Sequence, residues 1–154
     1  MLKLGYRIKD EESAAPQRLL GADAGALHYN LVLGDIEFEL DDCSFSAAWG
    51  WIPLLDFANA MRQIDQRLKA GSNVEVFEFT ESEAQLTFQR ADDQLEVRAS
   101  YVPCRGRTSL RDFSAAVRSL WETLIKDLLS RCPDLQTNAA FREVIGGADG
   151  SLLA

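Results

Sequence analysis

Between Val74 and Tyr101 the chain alternates apolar and polar residues through three short segments, and this pattern limits the fold more than any other feature. It predicts strands over about 74–79, 84–90 and 95–101. A turn at Thr80–Glu83 pairs Phe79 with Ala84 and Phe77 with Leu86. A second turn at Asp92-Asp93 pairs Phe88 with Val97, Leu86 with Ala99 and Ala84 with Tyr101. Gln85, Thr87, Gln89, Glu96, Arg98 and Ser100 then share the opposite face. Such sorting belongs to an antiparallel sheet covered on one side only.

Two amphipathic helices supply the cover. Leu54, Phe57, Ala58, Met61, Ile64 and Leu68 follow a 3.6-residue period interrupted only by Asp65, with Pro53 placed for the first turn and Gly71 for the stop. Leu110, Phe113, Val117, Leu120, Trp121, Leu124, Ile125 and Leu128 form the second stripe. Ser109 with Asp112 is a capping signal for that helix, and Cys132-Pro133 its end. A short helix is expected near Asn138–Ile145.

In the first third, Leu2, Leu4, Tyr6 and Ile8 alternate with Lys3, Gly5, Arg7 and Lys9, the mark of a half-buried strand. Residues 10–26 read as a loop with one helical turn. Leu27–Leu40 reads as a hairpin turning at Gly34-Asp35, where glycine first suits a type II′ turn. That register places Leu33 against Ile36, Leu31 against Phe38 and Tyr29 against Leu40, and on the other face His28 against Asp41. The element order is β-ββ-α-βββ-α. It describes an α+β domain with one antiparallel sheet of about six strands and two helices packed on one face. Residues 1–145 make a single domain and 146–154 a flexible tail.

Charge and chemistry narrow the function. The interval between Arg18 and Arg62 holds seven of the 24 acidic residues and none of the 16 basic ones, so nearly all of the net charge of −8 arises there. This balance opposes binding to nucleic acid, whose phosphates call for Lys and Arg. It suits a basic protein partner. No apolar run approaches the roughly 18 residues of a membrane span, and "MLKLGYRIKDEE" meets charge too early for a signal peptide. Cys43, Cys104 and Cys132, odd in number and in no CxxC pair, read as reduced thiols of a cytoplasmic protein. With one histidine, and no motif for zinc, a phosphate loop or a nucleophile elbow, the sequence offers no metal, cofactor or catalytic set.

What remains is recognition. "GDIEFELDD" carries Asp35, Glu37, Glu39, Asp41 and Asp42, and "WGW" carries Trp49 and Trp51 around Gly50. Acids steer a basic partner and a tryptophan anchors it, so these seven residues are the candidate binding set. A solvated hairpin face neutralised by Lys3, Arg7 and Lys9, with the tryptophans packed over a helix start, is the plainer reading of the same residues.

The segments "GDIEFELDD", "WGWIPLLDFANAM", "FEFTESEAQLTFQR" and "LEVRASY", taken in this order, resemble small uncharacterised bacterial α+β domains. Some similarly built proteins are immunity proteins of polymorphic toxin systems. The resemblance implies a non-enzymatic inhibitor that occludes a basic toxin or nuclease, and it carries over no catalytic residue. Two other expectations come from the residues themselves. One is a small enzyme or ligand-binding domain using His28 and Asp41, and the other is a self-associating subunit that covers the open sheet face with another copy.

Overall fold

The computed structural model describes residues 2–80 and 82–146. The expected tail, apart from Gly146, lies outside them. The chain is α+β, but its strands form two antiparallel sheets of four strands each rather than one sheet of six.

In the first sheet, β2 (Leu33–Leu40) is central. On one edge it pairs with β1 (Leu2–Ile8), in a register that sets Lys3 beside Glu39, Gly5 beside Glu37 and Arg7 beside Asp35. Its other edge is shared by the two-residue β3 (Cys43–Ser44) and by β4 (Ala47–Pro53), with an irregularity between Gly34 and Ile36. The second sheet is the expected meander with one strand more. It comprises β5 (Val74–Glu78), β6 (Gln85–Ala91), β7 (Gln94–Ala99) and β8 (Val102–Ser109) in sequence order. The pairs Phe77–Leu86, Phe88–Val97 and Leu86–Ala99 stand where alternation puts them.

The helices follow their stripes. α2 (Leu54–Lys69) stops where Gly71 takes φ 115 and its N–H bonds the Leu68 carbonyl. α3 (Leu110–Arg131) begins at a Ser109 hydroxyl that accepts the Asp112 N–H at 3.0 Å. Asp65, the interruption in the first stripe, is buried and joins the two helices, accepting the Ser114 hydroxyl and pairing with Lys69 at 3.0 Å. Two short helices, α1 (Pro16–Leu20) and α4 (Ala139–Gly146), complete the set.

One core joins these layers. Phe38 of β2 stacks on Phe88 of β6 at 6.3 Å, and Phe88 meets Phe113 of α3 at 5.4 Å. Phe57 of α2 meets Phe77 of β5 edge to face at 5.3 Å. Gly106 of β8 lies so close to β2 that a Cβ there would stand 2.6 Å from Leu40 Cβ. At the same corner a disulfide joins Cys43 of β3 to Cys104 of β8.

That disulfide corrects the expectation of three reduced thiols, since only Cys132 is free, and it is buried. Two cysteines 61 positions apart carry no pairing signal until the sheets meet. The hairpin at Gly34-Asp35 is also overturned. Both residues sit inside β2, and residues Ala26–Asn30 form a π-helical turn instead of a strand. The chain enters β2 through Val32 at φ 56, an uncommon conformation for a β-branched residue. Val32 is held there by its N–H on the Ser13 carbonyl and by the Leu54 N–H on its own carbonyl. The true reversal is Asp41-Asp42, between Leu40 and Cys43. Ile36, Phe38 and Leu40 are buried in either arrangement, because β1 offers the same alternation that the imagined hairpin partner did.

Candidate functional site

The seven predicted residues fall into three groups. Asp35 is only 8% exposed, and its Oδ1 accepts the Gly50 N–H at 2.7 Å. This bond ties β2 to the point where β4 bulges, with Gly50 at φ 79, a conformation that suits glycine. Glu37, on the outer face, meets Lys3 at 3.1 Å and Arg7 at 4.0 Å, while Lys9 lies 3.9 Å from Asp35. The basic strand thus neutralises the acidic one, as the plainer reading anticipates. The hydrogen bond from Lys3 to Glu37, with the charges of Glu37 and Glu39, pushes the Lys3 ammonium up from its ordinary value.

Glu39, Asp41 and Asp42 are exposed at the far end of β2. Asp41 takes φ 50, as the first residue of a tight two-residue turn requires. The turn borders a shallow groove of about 310 Å³ with the disulfide, Arg105 and Arg107. Arg105 and Arg107 also stand 3.8 and 3.6 Å from Glu96 on the outer face of the second sheet.

Trp49 and Trp51 form the third group, at the opposite end of the strand. Their rings stack with centroids 5.4 Å apart. Trp49 is half-buried, held edge-on by Phe79 at 5.0 Å and Tyr101 at 5.4 Å. Tyr101 is itself fixed by its hydroxyl, which donates to the Phe45 carbonyl at 2.6 Å, and burial pushes its pKa up. Trp51 lies on top of this stack and is 39% exposed. The Asp35–Gly50 bond ties down the residue before it, and its ring rests on that of Trp49. Gly34 faces Ile52 across the ladder, which places the tryptophans near the start of β2. With roughly 3.3 Å of rise per residue, Trp51 stands on the order of 20 Å from the Asp41-Asp42 turn.

Sequence reasoning missed the partners of His28. The π-helical turn places it near Asp56 in the first turn of α2, not beside Asp41. Burial raises the Asp56 pKa, against the opposing pull of the His28 charge and a hydrogen bond with Thr80. The His28 Nδ1 is buried with no hydrogen-bond partner among the described residues. Tyr29 beside it is 52% exposed. Asp56 sits in the first turn of α2, between Leu54 and Phe57 of the apolar stripe, but nothing in the sequence couples it to His28.

A second cleft went unanticipated. Between β1 and α3 lies a groove of about 450 Å³, bounded by Leu4, Tyr6 and Ile8 on one side and Thr123, Asp127 and Arg131 on the other. Tyr6 donates its hydroxyl to Asp127 at 2.8 Å, and burial together with that carboxylate pushes the phenol pKa well up. Arg131 bonds both Asp127 at 2.9 Å and Glu11 at 2.6 Å.

Among the described residues no group of three or more His, Cys, Asp or Glu is arranged to hold a metal ion, and no helix is long and apolar enough to cross a membrane. No family model matches the chain, and no curated protein or solved structure is significantly similar to it.

Proposed function

We propose that this chain is a non-enzymatic protein-recognition domain whose anchor is Trp51. One observation carries the reading. A large indole stays 39% exposed although the residue before it and its stacking partner are both held from below. An aromatic surface stacked in place loses little conformational entropy on binding and gains much when desolvated, and tryptophan is enriched among the residues that dominate interfaces for this reason.

The partner is a protein with a basic surface. Glu39, Asp41 and Asp42, with the net charge of −8, attract such a surface during encounter. Asp35 and Glu37 contribute less, because the neighbouring strand already answers them. Occlusion of a basic toxin or nuclease, as an immunity protein acts, is the form of recognition that this acidic surface and stacked anchor fit. The disulfide suits an oxidising compartment, so the cysteines no longer support a cytoplasmic location.

The test is co-purification from the natural host with wild-type protein and with Trp51→Ala, at matched folding. Loss of a specific, basic partner with the variant alone supports the reading. Identical partners for both proteins would remove Trp51 from recognition.

A further inference from the structure

β1 is an edge strand among the described residues, because β2 is its only strand partner. The Lys9 N–H bonds the Leu33 carbonyl. Counting back in twos along an antiparallel ladder turns the amides of Arg7, Gly5 and Lys3 toward β2 as well. The N–H and C=O groups of Ile8, Tyr6 and Leu4 therefore turn to the other edge, and these same residues line the 450 Å³ groove that α3 borders. An open strand edge beside a helix is the geometry in which an extended peptide adds as a further strand.

We propose that this groove takes an extended segment of a partner protein by strand addition to β1, and that the segment carries acidic residues at alternate positions. The charge pattern selects this occupant. An added strand meets Lys3, Arg7 and Lys9 on its outward face, the same face on which β2 presents Asp35, Glu37 and Glu39 to them. Lys3 and Arg7 remain mostly exposed despite their contacts with Glu37, and Arg7 lies at the 4.0 Å limit of its pair. The acids that line the groove are each held already, and the long Arg7–Glu37 and Lys9–Asp35 pairs, at 4.0 and 3.9 Å, leave those two bases able to turn to an added strand. Glu37 meets Lys3, Asp127 meets Tyr6 and Arg131, and Glu11 meets Arg131.

A second copy of the chain is disfavoured at this edge. Antiparallel self-pairing centred on Gly5 would set Lys3 opposite Arg7, and centred on Tyr6 would set Lys3 opposite Lys9, and like charges directly opposed destabilise a ladder. The acidic total of the protein does not prevent the contact. At physiological salt, charges beyond about 8 Å are largely screened, so the basic side chains beside the peptide decide.

The experiment titrates purified protein with a blocked heptapeptide of alternating glutamate and threonine and follows backbone amide resonances. The expected result is a shift of the Leu4, Tyr6 and Ile8 amides, with their exchange slowed at least ten-fold. A matched blocked heptapeptide of alternating lysine and threonine should bind at least ten-fold more weakly. A glutamate peptide N-methylated along its pairing edge should lose binding, and Lys3→Gln with Arg7→Gln should weaken it several-fold while the amides of β5–β8 stay in place. Equal binding of the glutamate and lysine peptides would overturn the proposal, as would undiminished binding of the N-methylated one or no shift at all. A concentration-dependent dimer that protects the same three amides would also overturn it and assign the edge to a second copy.

Discussion

The two ends of β2 use similar residues to opposite effect. At its start the single acid, Asp35, is buried and spent on a backbone N–H, and what reaches the surface is an indole. At its end the acids are exposed on a tight turn, and what is buried is a disulfide half, Cys43, tied to the second sheet. The composition of this stretch suggests a single acidic and aromatic patch. The geometry divides it into a stacked aromatic contact and a remote charged tip. In the proposed function the first anchors a partner by desolvation, while the second acts through its field over distance.

The largest effect is expected at the disulfide end. Cys104→Ser opens a cross-link spanning 61 positions and should lower unfolding free energy by about 2–4 kcal/mol. Chemical denaturation checks this, and the Trp51 environment should remain as it was. If the tryptophan emission changes as much as the stability does, the two ends are not independent. Next comes Asp35→Ala, which strands the Gly50 N–H and should cost about 1–3 kcal/mol. Here the tryptophan emission should shift, because the bulge that presents Trp51 loses its tie. An unchanged spectrum would dissociate the bond from the anchor.

Smaller effects sharpen the contrast. Glu37→Gln removes exposed ion pairs and should change stability by less than about 1 kcal/mol. Asp42→Asn, at an exposed position of the same turn, should leave stability nearly unchanged. Association with a basic partner should slow several-fold at low salt and converge with wild type at high salt. A salt-independent loss would mean that the turn makes direct contact.

The Trp end also has a pH signature. Burial raises the folded-state pKa of Asp56, so protonation favours the fold. Its contribution is complete below the ordinary aspartate value and is lost as pH rises through the raised one. Asp56→Asn should therefore flatten stability against pH in that window, as thermal unfolding across the acidic range would reveal. A steeper profile in the variant would reverse the assignment.

Legibility in the sequence followed how local the cause was. β5–β7 were readable to the register, because one-sided burial forces alternation and Asp92-Asp93 marks the turn. The same dipeptide at Asp41-Asp42 marks the β2–β3 turn, with positive φ at the first aspartate in both places. Glycine at Gly34 drew the turn one strand too early. That glycine is required instead by packing, since a Cβ there would stand 2.0 Å from the Arg7 carbonyl oxygen.

β4 was missed because "AAWGWIP" does not alternate. β8 was missed because the segment Pro103–Arg107 breaks the alternation of the preceding strands. On an edge strand proline is tolerated, and Gly106 is there for the close approach of Leu40. Of the site, the tryptophans were legible as candidates. Their stacking, the Asp35 tie, the His28–Asp56 proximity and the β1 groove all depend on contacts between distant segments.

Trp51 is proposed to serve a partner and not the core. The most direct measurement pairs denaturant unfolding with the dissociation constant for the captured partner, on wild type and Trp51→Ala. Stability should fall by no more than about 1.5 kcal/mol, the scale of the lost stack on Trp49, while binding should weaken by about 30-fold or more, the scale of a tryptophan hot spot. Unchanged affinity, or a stability loss of a few kcal/mol that marks a core residue, would contradict it.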